Sequence, residues 1–509
     1  MKILFVNPSL RNGSPTKYLP VGIASVMTYV ASKGYSFEFL DVDINDLSDE
    51  EVEQAISQKP YDIVLTGTLV THYKWMKWFT RVVRQHNPKA LIVVGNSVAS
   101  SIPEVFLSNS EADVAIMGEA EITVGEVLDK FCQREALSKI QGIAYRTSQG
   151  KIIVNERRKA LKLIDNFPMI DWKFFDLEKY IEKSRAGAEG LIFEEDKPPT
   201  VMPVVSARGC VFRCTFCHFV FWNDPYRYRT PESIIEEIEK NVQEYDANYI
   251  NFWDDLSFGS LQQAERLADA LIEAKLPINW SASVRTDLFG NPKYSKSRRQ
   301  RVAAKFKESG CLSLGFSLES ANEEILEMME KRVKKEYFLE QVRILDKCGI
   351  TSSVSIVFGY PLETKETITE TFEMCKLAGV YPSIGYLLPL PATKMYEYAK
   401  EKGYIVDEDK YLDEITERQD LCLNMTTMSD KVVLRLIKDG ASQLNSELAL
   451  GLADGSLIKT GGYRNHTKKT SKFKQEFKRN ENDVSFNYST TVFHNELDKT
   501  SVINRGASE

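Results

Sequence analysis

The chain has 509 residues, 43% of them hydrophobic, and 65 Lys and Arg against 72 Asp and Glu give a net charge of −7. That length holds two or three domains with sizeable cores, and the acidic balance argues against a nucleic-acid-binding surface, which shows as a basic domain or stripe. No run of about 18 apolar residues suggests a membrane span, and the apolar start Met1 to Val6 is too short for a signal peptide and breaks at Asn7-Pro8. Eight cysteines, three in one short loop, do not read as a secreted disulfide framework, so a reducing cytoplasm is expected.

Five apolar runs mark the first 135 residues: Ile3 to Val6, Phe37 to Val42, Asp62 to Gly67, Ala90 to Gly95 and Val114 to Gly118. They alternate with amphipathic stretches such as Pro20 to Ser32 and Tyr73 to His86, which predicts a doubly wound parallel sheet over residues 1–140. Such sheets bind ligands outside the carboxyl ends of their strands. Thr66, Gly67, Gly95, Asn96, Gly118 and Glu119 stand there. Glu119 and Glu121 read equally as carboxylates that complement a helix N-terminus. Residues 141–200, with the charged runs Glu156 to Lys159 and Glu194 to Lys197, read as a linker.

Residues 201–420 carry a second series of six strand-like runs: Val204 to Ala207, Tyr249 to Trp253, Asn279 to Val284, Leu312 to Leu318, Ser353 to Phe358 and Ile384 to Leu388. Helical patterns separate them, which predicts a partial barrel of parallel strands with its chemistry at their C-terminal ends. Just after the first run comes Cys210-Val211-Phe212-Arg213-Cys214-Thr215-Phe216-Cys217-His218. Three thiolates spaced C-x3-C-x2-C would leave one iron of a [4Fe-4S] cluster open to another ligand. A structural zinc ion or a loop of buried thiols are the alternatives, and a second Cys/His pair to complete a zinc site is not evident. Polar residues end the other runs: Asp254 and Asp255, Arg285, Glu319 and Gly359. Either aspartate reads equally as a cap for the helix starting near Ser260. Glu319 sits in an apolar strand, where an unpaired carboxylate is costly.

The cysteine spacing, with Phe216 before the last cysteine and Gly359-Tyr360-Pro361-Leu362-Glu363-Thr364 after the fifth strand, resembles the radical S-adenosylmethionine (SAM) superfamily. The first domain, with Leu19 to Ala24 before its first helix and Gly118-Glu119-Ala120-Glu121 closing its last strand, resembles the cobalamin-binding domain that precedes many such barrels. The resemblance implies a [4Fe-4S] cluster on Cys210, Cys214 and Cys217, and SAM on Phe216, Asp254, Asp255, Arg285, Glu319 and Gly359. It implies cobalamin near Thr66, Gly67, Gly95, Asn96, Gly118 and Glu119. Two departures are plain: there is no Asp-x-His-x-x-Gly motif, and Gly95-Asn96-Ser97-Val98 stands where relatives have Gly-Gly-x-His.

The implied chemistry is reductive cleavage of SAM to a 5'-deoxyadenosyl radical, fed by a flavodoxin or ferredoxin. The leading outcome is methylation of an unactivated carbon or a phosphinate of a small molecule or lipid. A radical cyclase or coupling enzyme is one alternative, and a non-catalytic protein stabilised by zinc or a cluster is the other. A helical extension is expected over 421–460 and a disordered polar tail over 461–509. Cys132, Cys311, Cys348, Cys375 and Cys422 read as core thiols, and His72, His86, His466 and His494 as surface residues.

Overall fold

The computed structural model describes residues 1–185, 198–218 and 224–458. The first unit is a seven-stranded sheet made of β1 (Ile3–Asn7), β2 (Glu38–Asp41), β3 (Ile63–Gly67), β4 (Leu91–Gly95), β5 (Val114–Ile116), β6 (Ile143–Arg146) and β7 (Ile152–Val154), in the order β2-β1-β3-β4-β5-β6-β7. The first five strands are parallel. Their alternate residues face opposite layers: Phe5, Ile63 and Val93 pack with Met27 and Val124, whereas Val6, Val64 and Ile92 pack with Val52 and Phe79. Both faces are buried, which is why the strands read as continuous apolar runs. The span expected to be a linker begins with structure of its own, because β6 and β7 form an antiparallel hairpin on the β5 edge.

The second unit is an all-parallel six-stranded sheet of β8 (Val201–Val204), β11 (Tyr249–Phe252), β12 (Asn279–Ser283), β13 (Cys311–Glu319), β14 (Thr351–Phe358) and β15 (Ser383–Tyr386). Its order is β15-β14-β13-β12-β11-β8, the partial barrel expected. The first strand lies earlier than the run Val204 to Ala207 suggested. Ala207–Arg208 is a separate short strand, β9, paired antiparallel with β10 (Arg227–Tyr228). The face of the barrel that packs on the helices carries Ile250, Phe252, Trp280, Phe316 and Ile356. The other face carries small polar residues, and register aligns Asn251, Ser281 and Ser313 in one row and Ser317, Ser355 and Ser383 in another. Val201, Tyr249 and Leu312 close the bottom of that face.

The two units share a core and are further joined by the C-terminal region. The helix Glu408–Glu414 lies on the first unit, where the Tyr73 hydroxyl donates to Asp409 at 2.6 Å and Lys77 pairs with Asp409 and Asp413. Leu388, Leu412 and Ile415 enter the first unit's core. The expected extension is the helix Asp430–Glu447, packed against the helix Lys365–Ala378. The expected disordered tail, with His466 and His494, lies outside the described residues. No helix among the described residues is long and apolar enough to cross a membrane.

Candidate active site

The cysteine loop leaves the C-terminal end of β8 and is held at several points. Asp254, at the end of β11, accepts the Ser206 and Ala207 amides at 2.8 and 2.9 Å and the Ser206 hydroxyl at 2.6 Å. Further along, the Thr215 amide donates to Met329 O at 3.0 Å, the Met395 amide donates to Thr215 O at 3.0 Å, and His218 Nδ1 lies 3.0 Å from Pro391 O. Burial lowers the His218 pKa to about 4, so its ring is neutral and Nδ1–H is the donor.

Burial raises the pKa of all three thiols, that of Cys217 to about 12. Arg285 and Lys331 oppose the rise at Cys214 and so favour its thiolate. Cys217 and Asp255 are solvent-accessible yet strongly desolvated by surrounding protein. Groups on a convex surface do not combine these properties, whereas groups lining a recess do. Among the described residues no three His, Cys, Asp or Glu side chains converge on one ion-sized point. Ligands of a single tetrahedral zinc must converge, but thiolates that each bind a different iron need not.

The base of the loop is fastened to the first unit. Arg208 and Arg227 face each other across the β9–β10 ribbon and both grip the turn after β5. Arg227 binds Glu119 through two bonds of 2.6 and 3.1 Å, and Arg208 binds Glu121 at 2.6 Å and approaches Glu119 at 3.5 Å. Burial alone would raise the Glu121 pKa, but Arg208 and the Ser25 hydroxyl overcome it and hold the carboxyl below its usual range. Both oxygens of Glu119 are therefore engaged by arginine. Sequence reasoning missed these arginines, although Arg208 stands two residues before Cys210.

The other residues expected around SAM separate into engaged and available groups. Asp254 is committed to the loop backbone, while Asp255 adjoins Cys210 and Cys217 and has no hydrogen-bond partner among the described residues. Neither aspartate caps the next helix, since Ser260 accepts from the Gln263 amide. Arg285 Nε donates to Asp287 at 2.9 Å, Nη2 to the Lys331 carbonyl at 3.1 Å, and the guanidinium stacks 3.2 Å from the Phe212 ring centroid. That leaves Nη1 for a ligand. Glu319 accepts Lys331 Nζ at 2.8 Å through Oε1, and its Oε2 is buried without a partner. Its φ of +66° is rare for a residue with a side chain, and such strain gathers at functional sites. Gly359, at φ +100°, donates its amide to Glu363, and Phe216 packs edge-on against Tyr360.

At the first unit's strand ends, Thr66 is buried and donates to Val6 O at 2.9 Å, so its hydroxyl is spent on the fold. Gly67 is fixed by close approach: a Cβ there would lie 3.1 Å from the Gly95 backbone. Gly95, Asn96 and Gly118 leave a rim of backbone, with Asn96 at φ +65° accepting from the Ser97 amide, and the apolar Leu69, two residues after Gly67, is exposed. A rim of small residues beside an apolar side chain fits a flat macrocycle. His72, expected at the surface, is buried, stacked on Trp75 and directed at Thr68. Of the expected core thiols Cys311 and Cys375 are buried, Cys348 and Cys422 half-buried and Cys132 exposed. Cys311 begins β13, at the end of that strand away from the cysteine loop.

The radical SAM superfamily model matches residues 204–375 and the B12 binding domain model residues 11–128. The chain is a radical SAM protein with an N-terminal B12-binding domain. It is 26% identical over 407 residues to an uncharacterized methyltransferase of Pyrococcus horikoshii, covering 78% of this chain and 83% of that one. It is 24% identical over 425 residues to an anaerobic magnesium-protoporphyrin IX monomethyl ester cyclase of Rubrivivax gelatinosus, covering 81% and 72%. In fold it is similar to the radical SAM methyltransferase TsrM of Kitasatospora setae, solved with cobalamin and a [4Fe-4S] cluster, at a TM-score of 0.62 and 16% identity over 80% of this chain and 75% of that one.

Proposed function

We propose that the protein is a cobalamin-dependent radical SAM methyltransferase acting on a small molecule. The observation that carries this reading is the clasp between Arg208, Arg227, Glu119 and Glu121. It joins the C-terminal end of β5 to the C-terminal end of β8, so the ligand-binding ends of the two sheets adjoin.

Cys210, Cys214 and Cys217 would hold the cluster. Asp255, Glu319, Arg285 Nη1, Gly359 and the backbone of Phe216 would receive SAM, and the rim at Gly67, Gly95, Asn96 and Gly118 cobalamin. When bound, these groups supply an electron that breaks a carbon–sulfur bond of SAM and a methyl group for transfer. The chain's own part is to hold the geometry. Asp254 fixes the loop, Arg285 and Lys331 offset thiolate charge, and Asp255 offers an acceptor to the amino group of SAM. The electron comes from an external donor of the flavodoxin or ferredoxin class.

The test is SAM turnover by protein reconstituted with iron, sulfide and cobalamin under anaerobic, reducing conditions. Both 5'-deoxyadenosine and S-adenosylhomocysteine are expected, and Cys214→Ala should lose the broad absorbance near 400 nm and drop 5'-deoxyadenosine to background. Formation of 5'-deoxyadenosine alone would transfer the reading to the cyclase class. Neither product in any condition would end the enzyme reading.

A further inference from the structure

The concave face of the barrel is lined for a polar guest. Closed parallel barrels fill their interior with bulky branched side chains. Here Ser317, Ser355 and Ser383 form one row across β13, β14 and β15, each only half-buried, and the Ser317 and Ser355 hydroxyls meet at 2.8 Å.

A cation stands at the end of that row. The next residue of β15 on the same face is Gly385, and a Cβ there would lie 3.0 Å from Arg418 Nε and 3.4 Å from its Cζ. The guanidinium therefore occupies the space the glycine leaves, roughly 7 Å along the strand from Ser383. Its backbone is fixed by the Tyr386 amide, which donates to Arg418 O at 2.5 Å, and by the neighbouring pair of Arg11 with Glu417 at 3.0 Å. Yet Arg418 Nε is buried without a hydrogen-bond partner, and among the described residues no carboxylate pairs with this side chain. A partly exposed guanidinium whose Nε is buried unbonded is left short of a hydrogen-bond partner, at a cost. Its planar fork suits a carboxylate or phosphate, which would supply the missing charge.

We propose that the barrel interior takes a hydroxyl-bearing small acid, its oxyanion on Arg418 and its polar body along Ser317, Ser355 and Ser383, in place of a lipid or a macrocycle. The proposal rests on the reading that substrate meets SAM at this end of the barrel, and it names the substrate class.

Calorimetric binding of gluconate, glucose 6-phosphate, sorbitol and octanoate to the reconstituted full chain tests it. Gluconate or glucose 6-phosphate should bind at least tenfold tighter than sorbitol and octanoate, and comparing those two tells a carboxylate site from a phosphate site. Arg418→Met should erase the preference. Gly385→Ala, which crowds the guanidinium without removing it, should weaken binding in the same order, with melting curves confirming that both variants fold. Octanoate binding as well as gluconate, an unchanged preference in Arg418→Met, or no binding of any probe overturns the proposal. A protein that binds gluconate through Arg418 but never cleaves SAM keeps this site and loses the methyltransferase reading. One that cleaves SAM but prefers octanoate loses this site alone.

Discussion

Asp254 and Asp255 are adjacent carboxylates with opposite commitments. Asp254, whose pKa burial raises to about 6, accepts three bonds from Ser206 and Ala207 and so fixes where the cysteine loop begins. Asp255 lines the recess beside Cys210 and Cys217. Asp254→Ala should therefore strand buried donors and lose roughly 2–4 kcal/mol in chemical denaturation, with poor cluster incorporation. Asp255→Ala should stay within about 0.5 kcal/mol of wild type but weaken SAM binding about tenfold or more, as expected for losing a charge-assisted hydrogen bond. Equal stability losses in the two variants would refute the division. The sequence located this pair at a strand end and offered both for SAM or for a helix cap, without telling one from the other. Successive residues of an extended chain point to opposite sides, so which acid enters the recess depends on where β11 stops. The same limit applies to Glu319, whose place in an apolar strand flagged it, whereas its partner Lys331, twelve residues on, carried no local signal.

Two small elements decide how the units meet. The β9–β10 ribbon brings Arg208 and Arg227 side by side, and neither is legible as a clasp residue because the partners Glu119 and Glu121 lie some 90 to 110 positions earlier. Arg227→Met would leave the nearly buried Glu119 without its bidentate partner, a loss of about 3–5 kcal/mol. Calorimetry should then show the single unfolding transition split into two, and an unchanged single transition would remove the clasp from the account. The second element is the helix Leu177–Ser184, whose Tyr180 donates to Asp41 at 2.9 Å beside Asn7. Burial raises the Asp41 pKa to about 6, and no cation offsets it. The unfolded chain releases that proton near pH 4, the folded chain near 6, so the folded state binds more protons between them and stability falls as pH rises through that window. Asp41→Asn should flatten that slope, read from urea midpoints at pH 4, 5, 6 and 7.

At the scale of the whole molecule, the parallel strands were legible because both faces are buried and leave continuous apolar runs. The β6–β7 hairpin escaped because it is short and its outer strand, Ile152–Val154, is only partly buried. The order of the units was also legible, but their union was not. Leu388, Leu412 and Ile415 complete the first unit's core from far along the chain, beyond the whole of the barrel sheet. Residues 1–185 expressed alone would expose that apolar surface and should aggregate or melt well below the full chain. A soluble fragment with an unchanged melting temperature would show the first unit to be self-sufficient.

The ribbon carries a consequence for recombination between relatives. Its two arginines belong by sequence to the barrel, and the acids they grip belong to the domain before it. A hybrid that joins this barrel to another protein's B12-binding domain imports a foreign turn into the grip that sets the cysteine loop. A hybrid that keeps Glu119, Glu121, Arg208 and Arg227 together, with its crossover outside the stretch they enclose, should therefore fold better than one joined between them.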